Sequence, residues 1–389
     1  MNFLFPYMAR WHAANHTRYH GLLKALAGLG HEVTVLQPPP LNSTETNFFE
    51  IDDETIAGIR IIEMNMPDGL WKSSLPFEKV VKKGLYSLNT QHYLKELMRT
   101  HQIDVLILYN LPQCLMLASS PCFCVFDVAD DLPAMFTYEL GRLSSLGFGH
   151  LADLMFHYML RRSDLNVVVS HELQIQIEEH TTLLPNGVDI NEVAQLQKAK
   201  LPIHGASPVV GYMGAFEYFV DVDMVLDTAA ALPDVAFWLV GGGRDFSRVK
   251  LRVEKEHLDN VYLPGPVDHR TGLAMMAATD ICLLPRRLDA FSHAACPLKL
   301  FEYAALGRPV VSTPVREVQR IANEFAFFVQ DHREMTASIS YLINNSDSVK
   351  SKVERGLELV KSTYNWPAIT QKFVESIEQR MVMRSRRQN

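Results

Sequence analysis

Lys299 and Glu302 lie three residues apart in the segment PLKLFEYAALGRPVVSTP, residues 297–314. Pro297 suits the first turn of a helix, and Gly307 suits the position just past its end. Leu298, Phe301 and Ala305 are the expected buried face. Pro309 then leads into an apolar strand through Val310, Val311, Ser312 and Thr313. The free amides of a helix start attract anions, and Lys299 adds a point charge beside them. Glu302, about one turn along on nearly the same side, could accept hydrogen bonds from a diol. Phosphate at the helix tip and ribose at the acid would together describe a nucleotide-sugar site. An ordinary capped helix with an exposed Lys/Glu pair fits the same letters.

Strand-like and helical runs alternate nearly throughout the chain. Residues 104–109, 122–128 and 166–169 are almost continuously apolar, as are 235–240 and 280–284. Continuous rather than alternating apolar strands suit a parallel sheet covered on both faces. The pattern restarts after the polar stretch KAKLPIHGASP, which reads as a linker at residues 198–208. The expected architecture is therefore α/β, with two doubly wound, Rossmann-like domains facing a cleft. Their expected spans are 1–197 and 209–365, with a C-terminal helix at 366–389 packing back toward the first domain. Helical spacing of Trp366, Ile369, Phe373 and Ile377 marks that helix, and its last basic residues are expected to fray.

At 389 residues the chain exceeds one typical core. Its net charge of −7 argues against a nucleic-acid partner. Five cysteines without metal-type spacing argue against a disulfide framework and fit a reducing cytoplasm. The start of the sequence has no secretory pattern, and no apolar run is long enough to span a bilayer. Any membrane contact would be peripheral, and residues 70–99, with aromatic and aliphatic side chains among lysines, are its best candidate. The competing reading is an ordinary helix packed on its own domain. Asp221-Val222-Asp223 has the letters of a metal-binding D-x-D but reads as a helix start, so no metal and no cofactor is expected.

Several stretches, taken in order, resemble the nucleotide-binding half of GT-B fold glycosyltransferases of the "glycosyl transferases group 1" family. They are Val168-Val169-Ser170-His171-Glu172-Leu173, Leu184-Pro185-Asn186-Gly187-Val188-Asp189 and Val210-Gly211-Tyr212-Met213-Gly214. Leu239-Val240-Gly241-Gly242-Gly243, Asn260-Val261-Tyr262-Leu263-Pro264-Gly265 and the opening segment complete the series. The resemblance is good over residues 161–313 and weak in the first half. There, Asp127-Val128-Ala129-Asp130-Asp131 is similar to a D-x-x-D-D found in a bacterial subgroup tied to surface-polysaccharide assembly.

The resemblance implies transfer of a sugar from a nucleotide donor, of the UDP-sugar class, to a growing surface glycan or lipid-linked acceptor. It implies that Glu302 binds ribose, and that Lys299 with the backbone at Pro297 and Leu298 meets the diphosphate and sugar. Gly214 would admit the phosphates, while Gly265 and Val267 would meet the base. Two departures stand out. The family's second glutamate, eight residues before Glu302, is Ala294 here, and the usual lysine after the first strand's glycine is missing. Arg286 and Arg287 are the expected substitutes, with Arg244 a weaker one, and His293 could reach the donor sugar. Asp130, with Asp131 beside it, is the expected catalytic base, although both also suit helix capping. In the loop at residues 10–20, His16, Arg18 and His20 are expected on the acceptor side. A UDP-sugar epimerase of similar fold and a non-catalytic nucleotide-sugar-binding protein remain alternatives.

Overall fold

The computed structural model describes residues 1–11, 16–39, 58–64, 66, 78–117, 120, 122–140, 148–199 and 208–388. The chain divides into two compact units. The first comprises Met1–Ala13, Tyr19–Pro185 and Ile369–Asn389, and the second Ala14–Arg18 and Asn186–Ala368. The division thus falls before the expected linker, most of which lies outside the described residues.

The first unit holds a seven-stranded sheet. Its strands are β1 (Asn2–Pro6), β2 (Glu32–Gln37), β3 (Ile59–Glu63), β4 (Val105–Leu108), β5 (Phe123–Val128), β6 (Leu165–Val168) and β7 (Thr182–Leu183). They run in the order β3-β2-β1-β4-β5-β6-β7, and every pairing is parallel. The apolar runs legible in the sequence are these strands. Phe3, Leu4, Val105, Leu106 and Val125 are fully buried, as a sheet covered on both faces requires. The Glu78–His101 helix buries Tyr86, whose hydroxyl donates to the Leu36 carbonyl at 2.7 Å. Lys82, one of the lysines in the stretch 70–99, is buried there as well.

The second unit holds a six-stranded sheet. Its strands are β8 (Val209–Met213), β9 (Ala236–Val240), β10 (Val261–Gly265), β11 (Ile281–Leu284), β12 (Val310–Ser312) and β13 (Ala326–Phe328). The order is β10-β9-β8-β11-β12-β13, again all parallel. Its core gathers Val210, Phe237, Leu239, Ile281, Leu283 and Val311. In each unit the strand order runs outward in one direction and then reverses. With right-handed crossovers, that reversal puts connecting helices on both faces and opens a crevice at the strands' carboxyl ends.

The C-terminal helix, Trp366–Gln388, buries Trp366, Ile369, Phe373 and Ile377. The first arginine of its basic end is held in place. Arg384 Nη1 donates to Asp164 Oδ2 at 2.8 Å and to the Cys122 carbonyl at 3.4 Å. All five cysteines are free thiols.

Candidate functional site

The carboxyl ends of β8 to β11 bring glycine and charge together. Just past β8 comes Gly214, whose amide donates to the Val240 carbonyl at 2.8 Å. Just past β9 comes Gly241, whose amide donates to the Gly265 carbonyl at 3.0 Å. Gly214 and Gly241 have φ of 149° and 140°, a region side chains avoid. A Cβ on Gly241 would strike the Gly214 carbonyl oxygen, and one on Gly214 would strike the end of Lys299. Gly214 therefore vacates the space that the Lys299 ammonium uses.

Lys299 lies in the first turn of the Leu298–Ala305 helix. Pro297 provides no side-chain cap there, so the leading amides are available to an anion. The Cys296 carbonyl just before it accepts from Asn186 Nδ2 at 2.5 Å, which fixes the entry turn. The Met213 amide donates to the Tyr303 hydroxyl at 3.0 Å, tying the end of β8 to the same helix. Lys299 keeps some solvent exposure, but the surrounding protein desolvates its ammonium and pushes its pKa down to about 8. Attraction by Glu302 offsets this in part, and repulsion by Arg286 adds to it.

The helix is buried nearly all round. Leu300, Phe301, Tyr303 and Ala304 face the interior, whereas Leu298 and Ala305, expected in the core, are only half-buried. Glu302 is also inside, at 4% exposure. Its Oε1 lies 2.7 Å from Nε2 of His269, the first residue of the His269–Met276 helix. Asp268 caps that helix by accepting from the Thr271 amide at 2.9 Å. Gly265, with φ of 84°, and the half-buried Val267 form the turn that leads to it. The isolated residue type of His269 carried no sequence signal, because its partner is distant in the chain.

The two arginines after β11 part company. Arg286 is buried, and its guanidinium lies over the Phe219 ring at 4.6 Å. Its main chain is clamped by Thr313, whose hydroxyl accepts from the Arg286 amide at 3.1 Å and donates to its carbonyl at 2.6 Å. Arg287 is exposed. Arg244 pairs with Glu217 at 3.5 Å. His293 ends the Ala290–Ala294 helix and accepts, through Nδ1, from the Arg316 amide at 3.2 Å. It is thus engaged at the start of the Arg316–Ala322 helix. Ala294 is buried.

The acids of the first unit do not share one environment. Asp127, the first acid of the D-x-x-D-D stretch, lies inside β5 and is buried. Asp131 Oδ1 accepts from the Ala134 amide at 3.0 Å, capping the Leu132–Leu140 helix. Asp130, just before it, is half-buried. Arg18 and His20 sit in the Arg18–Gly28 helix and are buried. The His20 ring stacks on Trp11 at 4.3 Å, and its Nε2 meets the Trp11 carbonyl at 2.9 Å. His20 thus braces its own loop through Trp11. His16 belongs to the second unit, where its ring stacks on His269 at 3.8 Å and 6°.

Asp221 caps the Val222–Ala231 helix, and Asp223 pairs with Arg248 and Arg252, so both acids of the D-x-D letters have structural partners. Among the described residues, no three His, Cys, Asp or Glu side chains cluster to hold a metal.

Residues 207–345 match the family model described as Glycosyl transferases group 1. A Bacillus subtilis protein, provisionally named a teichuronic acid biosynthesis glycosyltransferase, TuaH, is 28% identical over 162 residues. That alignment takes in 41% of this chain and 40% of TuaH, so the chain spans less than half of that relative. Sucrose-phosphate synthase from Thermosynechococcus elongatus superimposes with a TM-score of 0.78 at 16% identity, over 98% of this chain and 99% of its own. Anabaena HepE, solved in complex with UDP and glucose, superimposes at 0.68 and 14% identity, over 97% and 99%. The chain therefore has the GT-B fold and carries, over residues 207–345, a glycosyl transferases group 1 domain.

Proposed function

We propose that the chain is a glycosyltransferase that moves a sugar from a UDP-sugar to a surface glycan or lipid-linked acceptor. One observation carries this reading. At the switch point of the second sheet, the buried Glu302, the cations Lys299 and Arg286 and the close-approach Gly214 belong to one constellation. Glu302 would accept from ribose hydroxyls. Lys299 and the leading amides at Leu298 would compensate the diphosphate, with Arg286 in place of the family's absent lysine. Gly265 and Val267 would border the base. The complex of HepE with UDP and the name of TuaH support the donor and acceptor classes.

In the transfer, Asp130 takes the proton of the acceptor hydroxyl, a role that rests on the family resemblance. The acceptor oxygen bonds to the anomeric carbon as the bond to the diphosphate oxygen breaks. The charge that develops on the leaving diphosphate falls to the cations, and no metal ion is required of the donor site. On this reading the reaction would run at the cytoplasmic face of a membrane, by peripheral contact. Among the described residues, no helix is long and apolar enough to cross one.

Ala294, buried where the family has a glutamate, favours a second reading as a nucleotide-sugar-binding protein without turnover. Incubation with UDP-sugars and pooled lipid-linked acceptors separates the readings. Acceptor-dependent transfer, reduced in Asp130→Asn, is the expected result. Donor conversion without acceptor would mean an epimerase, and UDP binding without any turnover would leave the binding protein.

A further inference from the structure

His269 is absent from every motif that marks the site, yet among the described residues it alone hydrogen-bonds the Glu302 carboxylate. A carboxylate only accepts, so Nε2 of His269 carries the hydrogen. That bond engages Oε1. Oε2 has no hydrogen bond within the described residues, which leaves it as the acceptor for an incoming hydroxyl. A buried carboxylate on a long side chain has several rotamers to choose from, and a fixed donor at 2.7 Å selects one.

The donor is itself held. Asp268 caps the helix that His269 begins, so the backbone beneath the imidazole is set. The His16 ring lies parallel to it at 3.8 Å, so the imidazole is covered on one face and its plane is fixed. The arrangement is a carboxylate oriented by a histidine, which a second histidine orients in turn. An aligned acceptor rewards a ligand that offers a hydroxyl at the matching place and penalises one that lacks it.

We propose that His269 is a positioning residue that aims Glu302 at the ribose, and that it sets the preference for ribonucleotides over 2′-deoxyribonucleotides. The proposal rests on the donor-site reading above. The test compares binding of UDP and 2′-deoxy-UDP by titration calorimetry to wild type, His269→Leu and His269→Gln. The two variants have similar volume, but only glutamine can donate to Glu302, and thermal unfolding without ligand checks that each is folded. Wild type is expected to prefer UDP roughly tenfold, the increment of one hydrogen bond to a charged group. His269→Leu is expected to lose most of that preference and His269→Gln to restore it. If both folded variants keep the wild-type preference, or if glutamine fails to rescue, His269 does not position Glu302. If wild type binds neither nucleotide, the donor-site reading itself fails.

Discussion

Between β1 and β4 the first sheet ends in aromatic rings, whereas between β8 and β11 the second ends in glycine and charge. Tyr109, just past β4, packs against Phe5 at 5.1 Å and Tyr19 at 4.7 Å, and its hydroxyl accepts from the Met8 amide at 2.8 Å. At the same reversal in the second unit the residue just past β8 is Gly214, backed by Lys299 and Arg286. The two sheets share one order over six strands, and the first adds β7 at its edge. The order makes a crevice in both, and the side chains decide whether it is filled or left for a ligand.

The sharpest way to break this contrast is a methyl group at the crowded glycines. Gly241→Ala would combine a disfavoured φ with a clash against the Gly214 backbone, an expected loss of about 3 kcal/mol. Gly28→Ala in the first unit has open space around it and should change stability by less than about 1 kcal/mol. Urea unfolding of both variants checks the difference.

Removing the charge at Lys299 comes next. Lys299→Gln should weaken UDP binding about tenfold at neutral pH, the value of one hydrogen bond to a charged group. The pKa near 8 adds a pH signature. Wild-type affinity should fall as pH rises through about 8, because the ammonium then loses its proton, and the variant should lack that step. Without ligand the sign reverses. The unfolded chain binds this proton more tightly between pH 8 and the ordinary lysine value of 10.5, so this group makes stability rise with pH across that window. UDP titrations and ligand-free melts from about pH 6.5 to about pH 9 would cover the affinity step and the lower end of the stability window.

The smallest effect belongs to the filled crevice. Tyr109→Phe leaves the Met8 amide without its acceptor and should cost about 1 kcal/mol of stability. UDP affinity should not change, which a melting curve and a titration on the same sample would check.

The strands were legible because a sheet buried on both faces needs unbroken apolar runs, and those runs ended within a residue or so of β4, β5, β9 and β11. Asp221 was legible as a helix start, because a capping acid carries its own local signature. The Leu298–Ala305 helix misled in one respect. Periodicity assumes a solvent face, but this helix buries Leu300, Tyr303 and even Glu302. His269 and His16 were not legible as a pair, because their partnership is made by the fold and neither sits in a motif. His20 shows the converse, a polar residue in a suggestive loop whose ring is spent on packing against Trp11.

The central claim is that the charged crevice of the second sheet holds a nucleoside diphosphate through Glu302. Calorimetric titration of UDP into wild type and Glu302→Ala tests it most directly. Saturable binding by wild type, weakened at least about tenfold in the variant, is the expected result. Equal affinity in the two proteins would contradict it.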